Sequence, residues 1–228
     1  MMHRYPILIL AAALLAFGAS DLEKARDAQD RAALTKLIGE ASAAADKNPK
    51  DANAQYHLAL AQSYLAEVAI EQRDKNAGRA AADGGIKAAE KAVGIKGDSA
   101  EYHRILGALC GQSVSANVLT GIKYGRCALD EVNKAVQLDG KSAMAYLSRG
   151  VGYYYLPPQF GGGIDTAIKD IEKALELDPK LAEAHLWLGV VLRKAGRNAE
   201  AHKELEKALQ LNPARVWTKQ QLDKTPAQ

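Results

Sequence analysis

AEAHLWLGVVLRKAGRNAEAHKELEKALQLNPAR, Ala182 to Arg215, reads as two short helices folded against each other. His185, Leu188, Gly189 and Leu192 step by three, one and three residues and so share one helical face, while Ala201, Leu205 and Ala208 form a second. Gly196 separates the two runs and Pro213 stops the second, because proline lacks the amide a helix interior needs. The small residues Gly189 and Ala201 fall where two antiparallel helices approach most closely.

A single helix pair leaves an apolar face uncovered, so copies of the pattern are expected upstream. One unit, 143–181, carries Tyr146, Gly150 and Tyr153 and then Ala167, Ile171 and Ala174. Another, 100–142, carries His103, Leu106, Gly107 and Cys110 and then Ala128, Val132 and Ala135. The earliest, 52–99, carries Leu58, Ala59, Gly85 and Ala92. The Leu-Gly spacing, the small residues of the second helix and the closing proline resemble the tetratricopeptide repeat, with His185 and Leu192 standing where aromatic rings are usual. That resemblance implies an all-α fold, an α-solenoid of about four helix-turn-helix repeats with capping helices, and a non-catalytic binding scaffold.

The flanks read as caps. Residues 21–51 are rich in Ala, Lys, Asp and Glu, with Leu37, Ala41 and Ala44 on one face, and form one long helix or a broken pair over the open end of the first repeat. Within 216–228, Val216, Trp217 and Leu222 cap the other end, and Lys224 to Gln228 are expected to be disordered. Residues 1–20 read as a secretory signal: His3 and Arg4 precede an apolar run from Ile7 to Ala16, followed by Gly18, Ala19 and Ser20. That run falls short of the roughly twenty residues a spanning helix needs, so no stable membrane insertion is expected after its removal. A periplasmic or secreted location follows. Loss of Arg4 lowers the net charge from +3 to +2, and lysines alternate with glutamates along helices, which argues against a nucleic-acid partner.

The first three units run to 48, 43 and 39 residues, with the excess between the two helices. In 52–99 the excess is helical in composition, with a turn signal at Asn76 to Gly78. In 100–142 it surrounds SVSANVLTGIKYG, Ser113 to Gly125. In 143–181 it is GYYYLPPQFGGG, Gly152 to Gly163, where prolines end one helix and glycines precede the next. Amides at Gly161 to Gly163 offer a weak anion cradle; otherwise Tyr155, Leu156 and Phe160 pack over the helix ends.

In the family resembled, the second, fifth, ninth and twelfth positions of each first helix line a concave groove. Carried over, these are Asn53, Tyr56, Leu60 and Ser63; Glu101, Arg104, Ala108 and Gly111; Met144, Leu147, Val151 and Tyr154; Glu183, Leu186, Val190 and Arg193. The expected partner is a protein or peptide, laid over an exposed stripe of Leu147, Val151, Leu186 and Val190, with polar contacts from Arg104, Tyr154, Arg193 and Lys194. Alternatively, the superhelix closes on itself or on a second copy as a homodimer, or the chain serves envelope transport by binding a solute near Tyr154 to Gly163. Of the positions that clamp a terminal carboxylate in some relatives, only Arg104 carries a suitable group.

No catalytic constellation, metal-ligand spacing or cofactor motif is present, and His103 and His185 occupy equivalent packing positions. Cys110 and Cys127 lie on the two helices of one unit, within reach of an intra-repeat disulfide or held as two buried thiols.

Overall fold

The computed structural model describes residues 21–116 and 121–227, and all regular structure among them is helical. The signal-peptide reading of 1–20 lies outside the described residues. A helical segment at 21–27 is followed by α1 (Arg31–Lys47), α2 (Ala52–Glu71), α3 (Lys75–Ile95), α4 (Ala100–Ala116) and α5 (Gly121–Leu138). Then come α6 (Ala143–Tyr155), a 3-10 turn (Pro158–Phe160), α7 (Ile164–Leu177), α8 (Ala182–Lys194), α9 (Asn198–Leu211) and α10 (Val216–Leu222). Successive helices pack in antiparallel pairs, α2 on α3, α4 on α5, α6 on α7 and α8 on α9, and the pairs stack side by side as an α-solenoid.

Side-chain caps set the helix starts. Asp30, Asp51, Asp74 and Ser142 each accept a hydrogen bond from an amide of the first turn that has no intrahelical partner. The cap at Asp74 explains a shifted turn. The chain reverses at 72–74, where Arg73 has φ 64°, and Asn76 to Gly78 lie inside α3 rather than between the helices. The excess of this unit therefore lengthens α2 and α3 to 20 and 21 residues, against 13 and 14 for α8 and α9.

The seam within each pair is set by small residues. A Cβ on Gly189 would lie 2.6 Å from Leu205 Cγ and 3.0 Å from the Ala201 carbonyl, and one on Gly107 would lie 2.7 Å from Val132 and 3.2 Å from the Ala128 carbonyl. Any larger residue there pushes the helices apart. Three further links support the pairs. His103 Nδ1 meets Glu131 at 2.5 Å and Nε2 the Gly97 carbonyl at 3.0 Å, and His185 repeats the pattern with Glu204 at 2.6 Å and Pro179 at 3.2 Å. Cys110 and Cys127 are joined by a disulfide between α4 and α5, with Cα atoms 6.0 Å apart. Closing a span of 17 residues in this way stabilises the fold by about 3 kcal/mol in the chain-entropy estimate.

The core divides into one cluster running from Leu22 to Cys110, a second from Leu147 to Ala201, and a third where Leu186, Val190, Leu205 and Ala208 pack against Trp217 and Leu222. The superhelix then closes on itself. Residues 26–29 and the C-terminal part of α2 meet residues 212–221, 144 to 191 positions later in the chain. Among the described residues, no helix is long and apolar enough to cross a membrane.

Candidate functional site

Closure centres on one buried arginine, with further hydrogen bonds around it. Arg215, 1% exposed at the start of α10, donates to Glu67 at 2.5 Å and to both carboxylate oxygens of Glu71, all on α2. Its Nε also stands 3.6 Å from Asp27 and 3.5 Å from Glu183 of α8. Glu67 and Glu71, one helical turn apart, face the same way. Around them Asn212 donates to Asp27 at 2.8 Å, Arg26 holds the same carboxylate at 2.7 Å, and Gln29 donates to Glu71 at 2.8 Å and exchanges hydrogen bonds with Gln220.

Four carboxylates thus share two guanidiniums. Burial pushes Glu67 up to about 8, Glu183 and Glu71 adding to the shift while Arg215 and Arg26 pull the other way. Burial raises Glu71 as well, against the opposing pull of Arg215. Burial opposes the charge of Arg215, but the carboxylates of Glu183, Glu67 and Glu71 more than restore it, so its pKa lies above the ordinary guanidinium value. Two buried polar atoms of the cluster have no hydrogen-bond partner among the described residues, Glu183 Oε1 and Arg215 Nε.

The closed ring encloses a cavity of about 540 Å³ open to solvent, with walls drawn from α2, α4, α5, α6, α8 and α10. One side is apolar, with Val132, Met144, Leu147 and Val151 on it. Another is aromatic: Trp187 and Trp217 have centroids 5.3 Å apart, and Tyr155 lies 6.3 Å from Trp187. Tyr155 lines this interior while 52% exposed, because the cavity itself admits water. Partial burial against the wall, with Tyr154, Glu71 and Glu67 nearby, raises the pKa of its hydroxyl.

The residues of the expected groove are only partly available. Leu147, Leu186 and Val190 are 3%, 0% and 6% exposed, so the predicted open stripe does not exist. The C-terminal cap supplies the reason: Trp217 and Leu222 fold onto Leu186 and Val190 and bury them within the same chain. Leu147 still borders the cavity, beside the half-buried Val151, but Leu60, 6% exposed, belongs to the first core cluster. Tyr154 is half-buried and packs edge-on to Trp187 at 6.2 Å.

The polar positions are committed internally. Glu101 grips Arg104 with two hydrogen bonds of 2.7 and 2.6 Å, and also accepts from the Tyr56 hydroxyl at 2.8 Å. Arg193 donates to Gln221 and to the Thr225 hydroxyl, which ties down 221–225 rather than a ligand; Lys194 is exposed. Thr225, 4% exposed, also offers its carbonyl to His202 at 2.9 Å, so the chain near its end is docked instead of disordered. The glycine amides offer no anion cradle either. Gly161, Gly162 and Gly163 donate to the carbonyls of Pro158, Pro157 and Tyr153, and Phe160 is 69% exposed rather than packed over the helix ends.

Sequence reasoning passed over Arg215, Glu67 and Glu71, and favoured a capping role for Trp217 over a binding one. The signal was present in α2: two acids one turn apart on a helix rich in alanine and leucine that carries no other Asp, Glu, Lys or Arg. Their partner, 144 and 148 residues away, has no periodic relation to them.

The tetratricopeptide repeat family matches residues 182–215. No curated protein matches the chain in sequence. Among solved structures, a thermophilic TPR protein of Thermus thermophilus aligns over 84% of this chain and 91% of its own, with TM-score 0.60 and 20% identity. The HusA haemophore from Porphyromonas gingivalis aligns over 73% of this chain and 79% of its own, with TM-score 0.57 and 20% identity. These are likenesses of fold, and with the match at 182–215 they make the chain an α-solenoid of tetratricopeptide type.

Proposed function

We propose that this protein is a non-catalytic binding protein of the cell envelope whose ligand sits inside the closed ring, not along an open groove. The cavity carries the reading: about 540 Å³, with an aromatic wall and an apolar one, lies within the range of about 300–1,000 Å³ that holds small organic molecules. An extended peptide laid along the first helices has no path, because α10 covers Leu186 and Val190. Export is part of the proposal. It rests on the apolar run from Ile7 to Ala16 and on the Cys110–Cys127 disulfide, a bond that persists in oxidising compartments.

A ligand carried through purification tests the reading. The native protein, isolated from its own cells and extracted with solvent, is expected to release one small organic compound in near-stoichiometric amount by mass spectrometry. Val151→Trp, which fills the interior, should release none while keeping its helical circular dichroism. A second reading, a protein partner, is favoured by the exposed Phe160, four residues along the chain from the cavity-lining Leu156. If native protein carries no compound but captures a polypeptide that Phe160→Asp loses, the scaffold reading replaces the first.

A further inference from the structure

The cavity lining holds five cationic side chains and three carboxylates, and the carboxylates are answered from behind. Glu67, Glu71 and Glu183 all lean on Arg215, a cation that does not itself line the cavity. Arg26 and Arg104 are balanced by Asp27 and Glu101. Arg193 and Lys224 are not balanced: among the described residues neither pairs with a carboxylate. Asp223, next to Lys224 in the chain, is exposed and lies off the cavity, and Glu206 stands 3.6 Å from His202 instead. Arg73 is unpaired too, but it follows Glu71 by two residues and belongs to the acidic end.

Arg193 and Lys224 are neighbours. Arg193 Nη1 donates to the Gln221 carbonyl at 3.0 Å and to the Thr225 hydroxyl at 2.9 Å, and Nη2 donates to Gln221 Oε1 at 2.6 Å. The segment that carries Lys224 therefore wraps the guanidinium. These partners are neutral and leave its charge in place. They also leave Nε and one hydrogen of Nη2 without a partner among the described residues, and Nε is not buried. Adjacent N–H groups on a guanidinium form the fork that a carboxylate fills with two charge-assisted hydrogen bonds.

Along α8, Glu183, Trp187 and Arg193 follow in that order, with Trp187 about 6 Å from the first and about 9 Å from the last along the helix axis. Trp217 stands against Trp187, with ring centroids 5.3 Å apart. An aromatic wall thus separates an acidic end, closed by Arg215, from a basic one. The two ends lie about 15 Å apart, beyond the Debye length of about 8 Å at physiological salt, so the acids repel a charge at Arg193 only weakly through water.

We propose that the cavity binds an organic acid, with an apolar or aromatic body against Trp187 and Trp217 and its carboxylate on Arg193 and Lys224. This rests on the interior-ligand reading and sharpens it.

The test uses the chain's two tryptophans, which both line the cavity and report its occupancy by fluorescence. The protein is titrated with phenylbutyrate, phenylbutanol and phenylbutylamine, three probes of matched body and different charge. Phenylbutyrate is expected to bind about tenfold tighter than the alcohol, with phenylbutylamine weakest. Arg193 also docks 221–225, so the residue varied is Lys224, which is exposed. Lys224→Glu should abolish the preference for the acid, with circular dichroism confirming its fold. A preference that survives Lys224→Glu overturns the site at this end of the cavity. If the alcohol binds to the parent protein and the acid is no tighter, the organic-acid proposal falls and the interior-ligand reading stands. If no probe perturbs the tryptophans, both fall.

Discussion

Between α8 and α9 the crossing is Gly189 against Ala201 and Leu205, residues 12 and 16 positions apart that touch through van der Waals surface, with one polar link beside them from His185 to Glu204. Between α2 and the start of α10 the contact is Glu67 and Glu71 against Arg215, across 148 and 144 positions, and it consists of charge. The first seam gains from burial and from close packing of backbone on backbone. The second must recover a large desolvation cost, and its carboxylates outnumber its guanidiniums. Repeat seams therefore carry the stability of the solenoid, while the charged seam selects one curvature among those the stack allows.

The sharpest way to break the comparison is at the repeat seam. Gly189→Leu forces a side chain into space already held by Leu205 and the Ala201 carbonyl, neither of which has room to yield. A loss of about 3 kcal/mol is expected in urea denaturation, with unit 182–215 losing protection from hydrogen exchange first. A loss below about 1 kcal/mol would show that the seam repacks freely.

The next effect is on closure. Arg215→Ala leaves carboxylates without their cation, a change that costs about 3–5 kcal/mol where the charges stay buried. Here the ring can open and let water reach them, so about 2 kcal/mol is expected, together with an increased radius of gyration by small-angle scattering and little change in helix content. An unchanged radius would mean that the other closing contacts, Asn212 with Asp27 and Gln29 with Gln220, hold the ring without it.

The smallest effect is a pH dependence. The folded pKa of Glu67 lies near 8, above the ordinary carboxylate value of 4.5, so the folded state holds a proton that the unfolded chain releases. Its contribution is fully present below about pH 4.5 and is lost as pH rises through 8. The proton is shared among neighbouring carboxylates, so about 1 kcal/mol, or about 3 °C in Tm, should separate pH 5 from pH 8. Burial lowers the His57 pKa and gives an opposite trend below about pH 6.5, so the comparison is with Glu67→Gln, which keeps His57 and should flatten the Glu67 part. A parent and variant that respond identically would remove Glu67 from the account.

The repeat seams were legible because they recur. Once Gly189 and Ala201 are seen as a facing pair, Gly150 with Ala167 and Gly107 with Ala128 follow by register, and the structure brings each pair to the helix crossing. The Asp74 cap was harder to see, since Asn-Ala-Gly is the stronger turn signal by composition and the aspartate outcompetes it only by capping the Ala77 amide. Closure was legible only as the alternative to an open groove, and the residues that make it were not legible at all. It depends on small rotations accumulated over every repeat, and the lengthened α2 and α3 change that sum without leaving a periodic mark. The exposed stripe failed for the same reason: Leu186 and Val190 look open until the curvature returns α10 across them.

The meeting of Gln29 with Gln220 also bears on how the chain has been able to change. An open solenoid tolerates gain or loss of a unit, because each repeat answers only to its neighbours. A ring does not, since deleting one pair would swing Arg215 away from Glu67 and Glu71 and leave both ends stranded. The number of repeats is fixed here by arithmetic of angle, and variation is channelled into the loops and helix lengths that leave the circle intact.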